Sequence, residues 1–196
     1  MSEPVKSTAG RSRSPQSHQA ILKATLELLA QVGYERMSIE AIAARAAVGK
    51  TTIYRWYDCK AELVADALEN VTQGVTVPDT GSLWGDLDQF IENAANSTLN
   101  PLSRNIIALI INTASSSPQF AQVYWTKYMQ PRREAFVAVL ERAKSRYEVQ
   151  VNLDSYLTFD LMSGAMLYAL IFYPAAESWK AHVRGVLEAF LRSSVD

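Results

Sequence analysis

Apolar residues recur along this chain at three- and four-residue intervals, the period of a helix that buries one face. The first stripe is Ile21, Leu22, Thr25 (through its methyl), Leu28, Leu29 and Val32. It follows Ser14-Pro15, an N-cap with proline at the first helical position, and stops at Gly33, predicting a helix over 15–32. Ser38 caps a second, short helix with Ile39, Ile42, Ala43 and Ala46 on one side, broken by Ala47-Val48-Gly49. A third runs from Lys50 to Tyr57 with Ile53 inward, and a fourth, capped by Asp58 or Cys59, carries Leu63, Val64, Ala67, Leu68 and Val71. Two short helices joined by a tight glycine-containing turn, packed on a longer one, make a helix-turn-helix.

After the loop "TQGVTVPDTGS" the period stays helical: 83–98, 102–114, about 118–147 with a bend or break at Pro131, 154–173 and 177–192. No segment alternates as a strand would. The expectation is an all-α chain of about nine helices: a three-helix head and a helical body. Residues 1–13, rich in Ser, Pro, Gly and Arg, read as a disordered basic arm. The head spans 14–60, the fourth helix (60–72) connects, and the body spans 73–196.

Charge changes this picture where its total does not. The formal net charge is −1, yet residues 1–60 carry nine Lys/Arg against five Asp/Glu, and residues 61–196 carry ten against fifteen. A basic head on an acidic body suggests a polyanion partner for the head. The single Cys59 excludes an intramolecular disulfide framework and fits a reducing compartment. The first residues hold no apolar leader, and the longest apolar run, Leu161–Tyr173, is short for a bilayer, so a cytoplasmic protein without a membrane partner is expected.

The stretch "AAVGKTTIYRWYDCK" (46–60) is where chemistry concentrates. Gly49-Lys50-Thr51 ends like a nucleotide-binding P-loop. The first glycine of that motif is replaced by Ala44, however, and a helix rather than a strand precedes the turn. The helix-turn-helix reading explains more. Lys50, Thr51 and Thr52 occupy the N-terminal turn that meets base edges in the major groove. Tyr54, Arg55 and Trp56 fan over the solvent side, and Ser38, Tyr54 and Lys60 supply phosphate contacts. The competing reading is a helical protein-interaction module whose basic head docks on an acidic partner.

The segments "ILKATLELLAQVGYERM" (21–37) and "SIEAIAARAAVGKTTIYRWYDCKAELV" (38–64) resemble the N-terminal domain of TetR-type transcriptional regulators. That family's run "IAxxAGVSxGTLYxHFxSKxxL" is matched over nearly the whole stretch. Three of its departures from that run matter: Gly49 for a capping Ser, Trp56 for a frequent His, and Cys59 for the Ser that caps the fourth helix. "DTGSLWGDL" (79–87) and "LDSYLTFDLMSGAMLYALIF" (153–172) resemble segments of the family's ligand-binding and dimerisation domain more loosely. The resemblance implies a homodimeric regulator, a repressor rather than an activator, released from a palindromic double-stranded operator by a small effector.

In the body, the helix from Leu161 to Phe172 is apolar on all sides and must be covered on all sides. This points to a two-fold interface built from Ser163, Gly164, Leu167, Leu170 and Ile171 with Val183, Leu187 and Phe190 of the last helix. Candidates for lining a mostly apolar effector pocket are Phe90, Asn105, Asn112, Tyr124, Trp125, Tyr128, Met129, Phe159, Met162 and Met166. No catalytic constellation, metal-ligand spacing or cofactor motif stands out, and His18 and His182 are far apart in sequence.

Overall fold

The computed structural model describes residues 14–70, 76–98, 101–172 and 179–193. Among them every regular element is helical: α1 (Pro15–Arg36), α2 (Ile39–Arg45), α3 (Lys50–Tyr54), α4 (Lys60–Glu69), α5 (Leu83–Thr98), α6 (Pro101–Ser116), α7 (Pro118–Tyr124), a π turn (Trp125–Met129), α8 (Gln130–Ser145), α9 (Ser155–Phe172) and α10 (Trp179–Ser193). Counted as one run, α7, the π turn and α8 bring the described helices to nine. The chain divides into two compact units, 1–64 and 65–196, the division falling within α4. The basic arm, Val71 and Tyr173 lie outside the described residues.

The head is built on the expected stripes. Ile21, Leu22 and Leu29 of α1, Ile42 of α2, Ile53 of α3 and Leu63 and Val64 of α4 are essentially inaccessible. Each such side chain contributes roughly 1.5–3 kcal/mol on burial. Val32, counted in the stripe from sequence, is instead 41% exposed, because α1 breaks at Gly33 (φ 77°, ψ 168°). A final turn to Arg36 follows that break, so the element outlasts its expected end. Ser14 holds the N-cap position through its carbonyl, which accepts from the His18 N–H, and its hydroxyl makes no capping bond. Ser38 does cap: its hydroxyl oxygen accepts from the Ala41 N–H at 3.1 Å.

In the body, α5, α8, α9 and α10 enclose a core of Leu87, Phe136, Val139, Leu140, Phe159, Met162, Leu170, Val183 and Leu187. Phe136 is met edge-on by Phe90 (centroids 5.3 Å) and by Phe159 (5.5 Å). The segment 79–87 earns its composition at the start of α5. Ser82 accepts from the Gly85 N–H, and the buried Asp86 carboxylate accepts from the Thr80 N–H (2.6 Å) and hydroxyl (2.8 Å). A Cβ on Gly85 would collide with both the Thr80 and Ser82 hydroxyls, so only glycine lets the loop fold back this closely. Arg142 and Arg146 stand 3.6 and 3.5 Å from Asp86.

Pro131 lacks the N–H that a regular helix would offer to Lys127, four residues earlier. The chain accommodates this with the π turn, in which the Gln130 N–H reaches back five residues to the Trp125 carbonyl. Helix α9 has the length and composition of a membrane span (mean hydropathy 1.3), but such helices also form protein cores. A third of it is buried, on the side that includes Thr158, Phe159, Met162, Ala169 and Leu170.

Candidate nucleic-acid interface

Helix α3 has only five residues and no hydroxyl at its N-cap, Gly49. Its position is set by two buried anchors, Ile53 and Tyr57, and by a turn in which Ala47 takes a left-handed conformation (φ 54°) and the Val48 N–H bonds the Ala43 carbonyl at 3.0 Å. With those anchors inward, Lys50, Thr51, Tyr54 and Arg55 are exposed and Thr52 is half-buried. Tyr54 is 55% exposed, a large aromatic left in water on a helix whose next residues are basic or aromatic. The Arg55 guanidinium has no hydrogen-bond or ion-pair partner among the described residues.

Two residues expected on this outer face are placed otherwise. Trp56 turns into the head, meeting His18 edge-on (centroids 4.5 Å, 77°), and its indole N–H is buried without a partner among the described residues. Burial of so large a ring outweighs its polar tip. Beside it, His18 Nε2 and the Tyr57 hydroxyl are 2.8 Å apart. Lys60 points not outward but at the end of α1: its ammonium donates to the carbonyls of Tyr34 (2.8 Å) and Met37 (3.1 Å) and lies 4.2 Å from the centroid of the Tyr34 ring. Carbonyls at a helix end have no partner of their own and attract a cation.

Sequence reasoning missed Glu40. Its carboxylate accepts from the Lys50 ammonium at 2.7 Å, joining α2 to the start of α3, with both side chains about half exposed. That hydrogen bond, chiefly, holds the Glu40 carboxyl below the usual carboxylate range, with smaller help from its own backbone N–H and from Ser38. Arg45 is likewise engaged, donating to Gln31 at 2.7 Å with Glu27 at 3.7 Å.

The body candidates separate into groups. Tyr124 and Tyr128 meet at a tilt (centroids 5.6 Å, 41°) in a polar network: Tyr124 donates to Glu69 (2.5 Å), Tyr128 donates to Asp66, and Arg132 donates to Glu69 (2.5 Å). Burial, and then Glu69, push the Tyr124 phenol far above its ordinary range. Phe159 and Met162 are in the core, with Phe90, Met129 and Met166 packed against it. Asn105 and Asn112 share a face of α6, as their spacing required, but that face is exposed rather than lining an interior. Trp125 is 42% exposed, beside Arg133. Of the expected interface residues, Leu170, Val183 and Leu187 are consumed by the chain's own core and Phe190 packs on it; Ser163 and Leu167 are half-buried, and Gly164 and Ile171 are exposed. The body needs those three leucine and valine side chains to fill its interior.

Two family models match the chain: "Bacterial regulatory proteins, tetR family" over residues 21–67 and "Tetracyclin repressor-like, C-terminal domain" over residues 77–190. YdeS of Bacillus subtilis, an uncharacterized HTH-type transcriptional regulator, is 34% identical, covering 85% of this chain and 84% of its own length. The DNA-binding transcriptional repressor TetR of Mycobacteroides abscessus is 31% identical over 77% of this chain and 80% of its own. Among solved structures, FadR of Bacillus subtilis in complex with stearoyl-CoA superposes with a TM-score of 0.64 at 16% identity, covering 91% of this chain and all of that one, a likeness of fold.

Proposed function

Because the chain belongs to the TetR family of DNA-binding transcriptional regulators, which are not enzymes, we propose that it is a homodimeric repressor released from a palindromic operator by a small, mostly apolar effector. The observation that carries this reading is the division of the recognition segment: Ile53 and Tyr57 inside, Thr51, Tyr54 and Arg55 outside. Lys50, Thr51 and Thr52 are assigned to base edges, and Ser38, Tyr54 and Arg55 to the phosphate backbone. Lys60 and Trp56 then act from behind, fixing the helix rather than touching the duplex.

TetR-family regulators form dimers. In this chain the surface best suited to a second copy is the outer side of α9, where Leu157, Gly164, Tyr168 and Ile171 are exposed at helical spacing. Ala181, Gly185 and Ala189, also exposed, form a small-residue stripe on α10 that lets another helix approach closely. An isologous pair would present two copies of α3 to major grooves about 34–36 Å apart. The effector would favour a dimer that engages only one half-site at a time, lowering affinity through linkage. Stearoyl-CoA on the FadR fold supports an apolar effector, with Phe90, Met129, Met166, Tyr124 and Tyr128 as the first residues to examine.

Selection of bound sequences from random duplex DNA by the purified protein tests this directly. A two-fold symmetric consensus with half-sites about one helical turn apart is expected. Enrichment of no sequence would overturn the reading.

A further inference from the structure

We infer that Glu40 is a discrimination residue of the head: its carboxylate occupies the Lys50 ammonium in place of a DNA phosphate, and so restrains binding to DNA that offers no specific contacts. The inference rests on the proposed DNA-binding role of α3. Its own support is a juxtaposition that a DNA-binding surface does not otherwise require. A half-exposed carboxylate lies 2.7 Å from the ammonium of Lys50, the first residue of the recognition helix, which Thr51, also exposed, directly follows. Lys50, a donor suited to phosphate oxygens or base edges, is the group that Glu40 engages.

The consequences follow from charge. Duplex DNA carries one negative charge per roughly 1.7 Å of axis, and non-specific binding consists almost wholly of phosphate neutralisation. A Glu40–Lys50 pair contributes no net charge to that process, whereas Lys50 alone would release about one more counterion. An operator can redirect Lys50 because a hydrogen bond to a base edge replaces the one it gives up. Random DNA has less to offer in exchange. The pair itself is solvated and weak, as exposed pairs are, so it can open when a better partner arrives.

The test is a double-mutant cycle on the full-length protein, using a random-sequence duplex and the selected operator as probes. Glu40 is more exposed than buried, so Glu40→Gln leaves the packing of α2 unchanged. E40Q is expected to tighten random-duplex binding about 5–10-fold near 0.1 M salt and to steepen the log–log salt slope by about one. Operator affinity should gain less, so the ratio between the two falls. In the K50Q background the same change should have less than about a twofold effect, since its target is gone. An unchanged or weakened random-duplex affinity in E40Q, or an equal gain in the K50Q background, would overturn the inference. Absence of any DNA binding by the unsubstituted protein would instead overturn the function on which it rests.

Discussion

The ammonium of Lys60 lies 4.2 Å from the centroid of the Tyr34 ring and donates to the Tyr34 and Met37 carbonyls, so the start of α4 closes the end of α1. A lysine expected to hold phosphate thus holds the head together. Lys60→Met keeps the stem and removes the donors. It is expected to destabilise the head by about 1–3 kcal/mol, while the salt slope of DNA binding moves by less than one. Thermal denaturation and a salt titration measure the two effects separately.

Ala47 adopts φ 54° in the turn before α3, a conformation that costs an L-residue with a Cβ. Ala47→Gly removes that cost without removing any contact the recognition helix uses. The head should gain about 0.5–1 kcal/mol, seen as a higher denaturation midpoint with operator affinity unchanged.

The proposed assignment divides the exposed residues of the recognition segment into base readers and phosphate holders. Thr51→Ala and Thr52→Ala should reduce preference for the operator over random duplex, by about 1–3 kcal/mol for a lost base contact. Arg55→Gln should weaken binding to all sequences alike and reduce the magnitude of the salt slope by about one. Competition binding at several salt concentrations distinguishes the two behaviours.

Burial alone would push the Asp86 carboxyl up, but the Thr80 N–H and hydroxyl, with Arg142 and Arg146, more than reverse this and hold it below the usual range. A depressed folded pKa contributes stability that is present above the unfolded value, about 3.9, and is lost as pH falls through the folded one. Asp86→Asn should therefore cost about 2–3 kcal/mol at neutral pH, and its disadvantage should shrink as the pH is lowered below 4. Denaturant melts across that range measure it.

If α9 is the meeting surface of two copies, Ile171→Asp should yield monomers in sedimentation, because Ile171 is 45% exposed on a single chain. Leu187→Ala should instead lower stability by about 2–5 kcal/mol, because Leu187 is fully buried within its own body. A folded I171D dimer would place the interface elsewhere.

The stripes that named Ile21, Leu22, Leu29, Ile42 and Ile53 were legible because each lies on a helix with one wet side, where period reports direction. The all-helical fold and the family followed from the same periodicity and from residues 21–64. In α9 the period carries no direction, since apolar residues stand on every side. Leu170 could therefore be mistaken for an outward residue, and Val183 and Leu187 of α10 were assigned with it. At the head, sequence identified which residues cluster but not which way Trp56 and Lys60 turn. Those choices depend on His18, 38 residues before Trp56, and on the α1 carbonyls, 23 and 26 residues before Lys60. Glu40 was invisible for the same reason: ten residues separate it from Lys50, and only the intervening turn brings them together.

The π turn before α8 has a consequence for angular phase. Counted from the buried Phe120 at 3.6 residues per turn, an uninterrupted helix would bring Ala138 and then Arg142 round to the inner side. The additional residue taken up between Trp125 and Met129 advances that series by one, to Val139 and Ala143, both of which are fully buried. The same offset brings Arg132 round to Glu69. The π turn thus acts as a rotary setting for everything downstream in the rod: wind the same residues as regular α-helix, and about 100° of turn would carry a guanidinium toward the oily interior and leave an aliphatic seam in water.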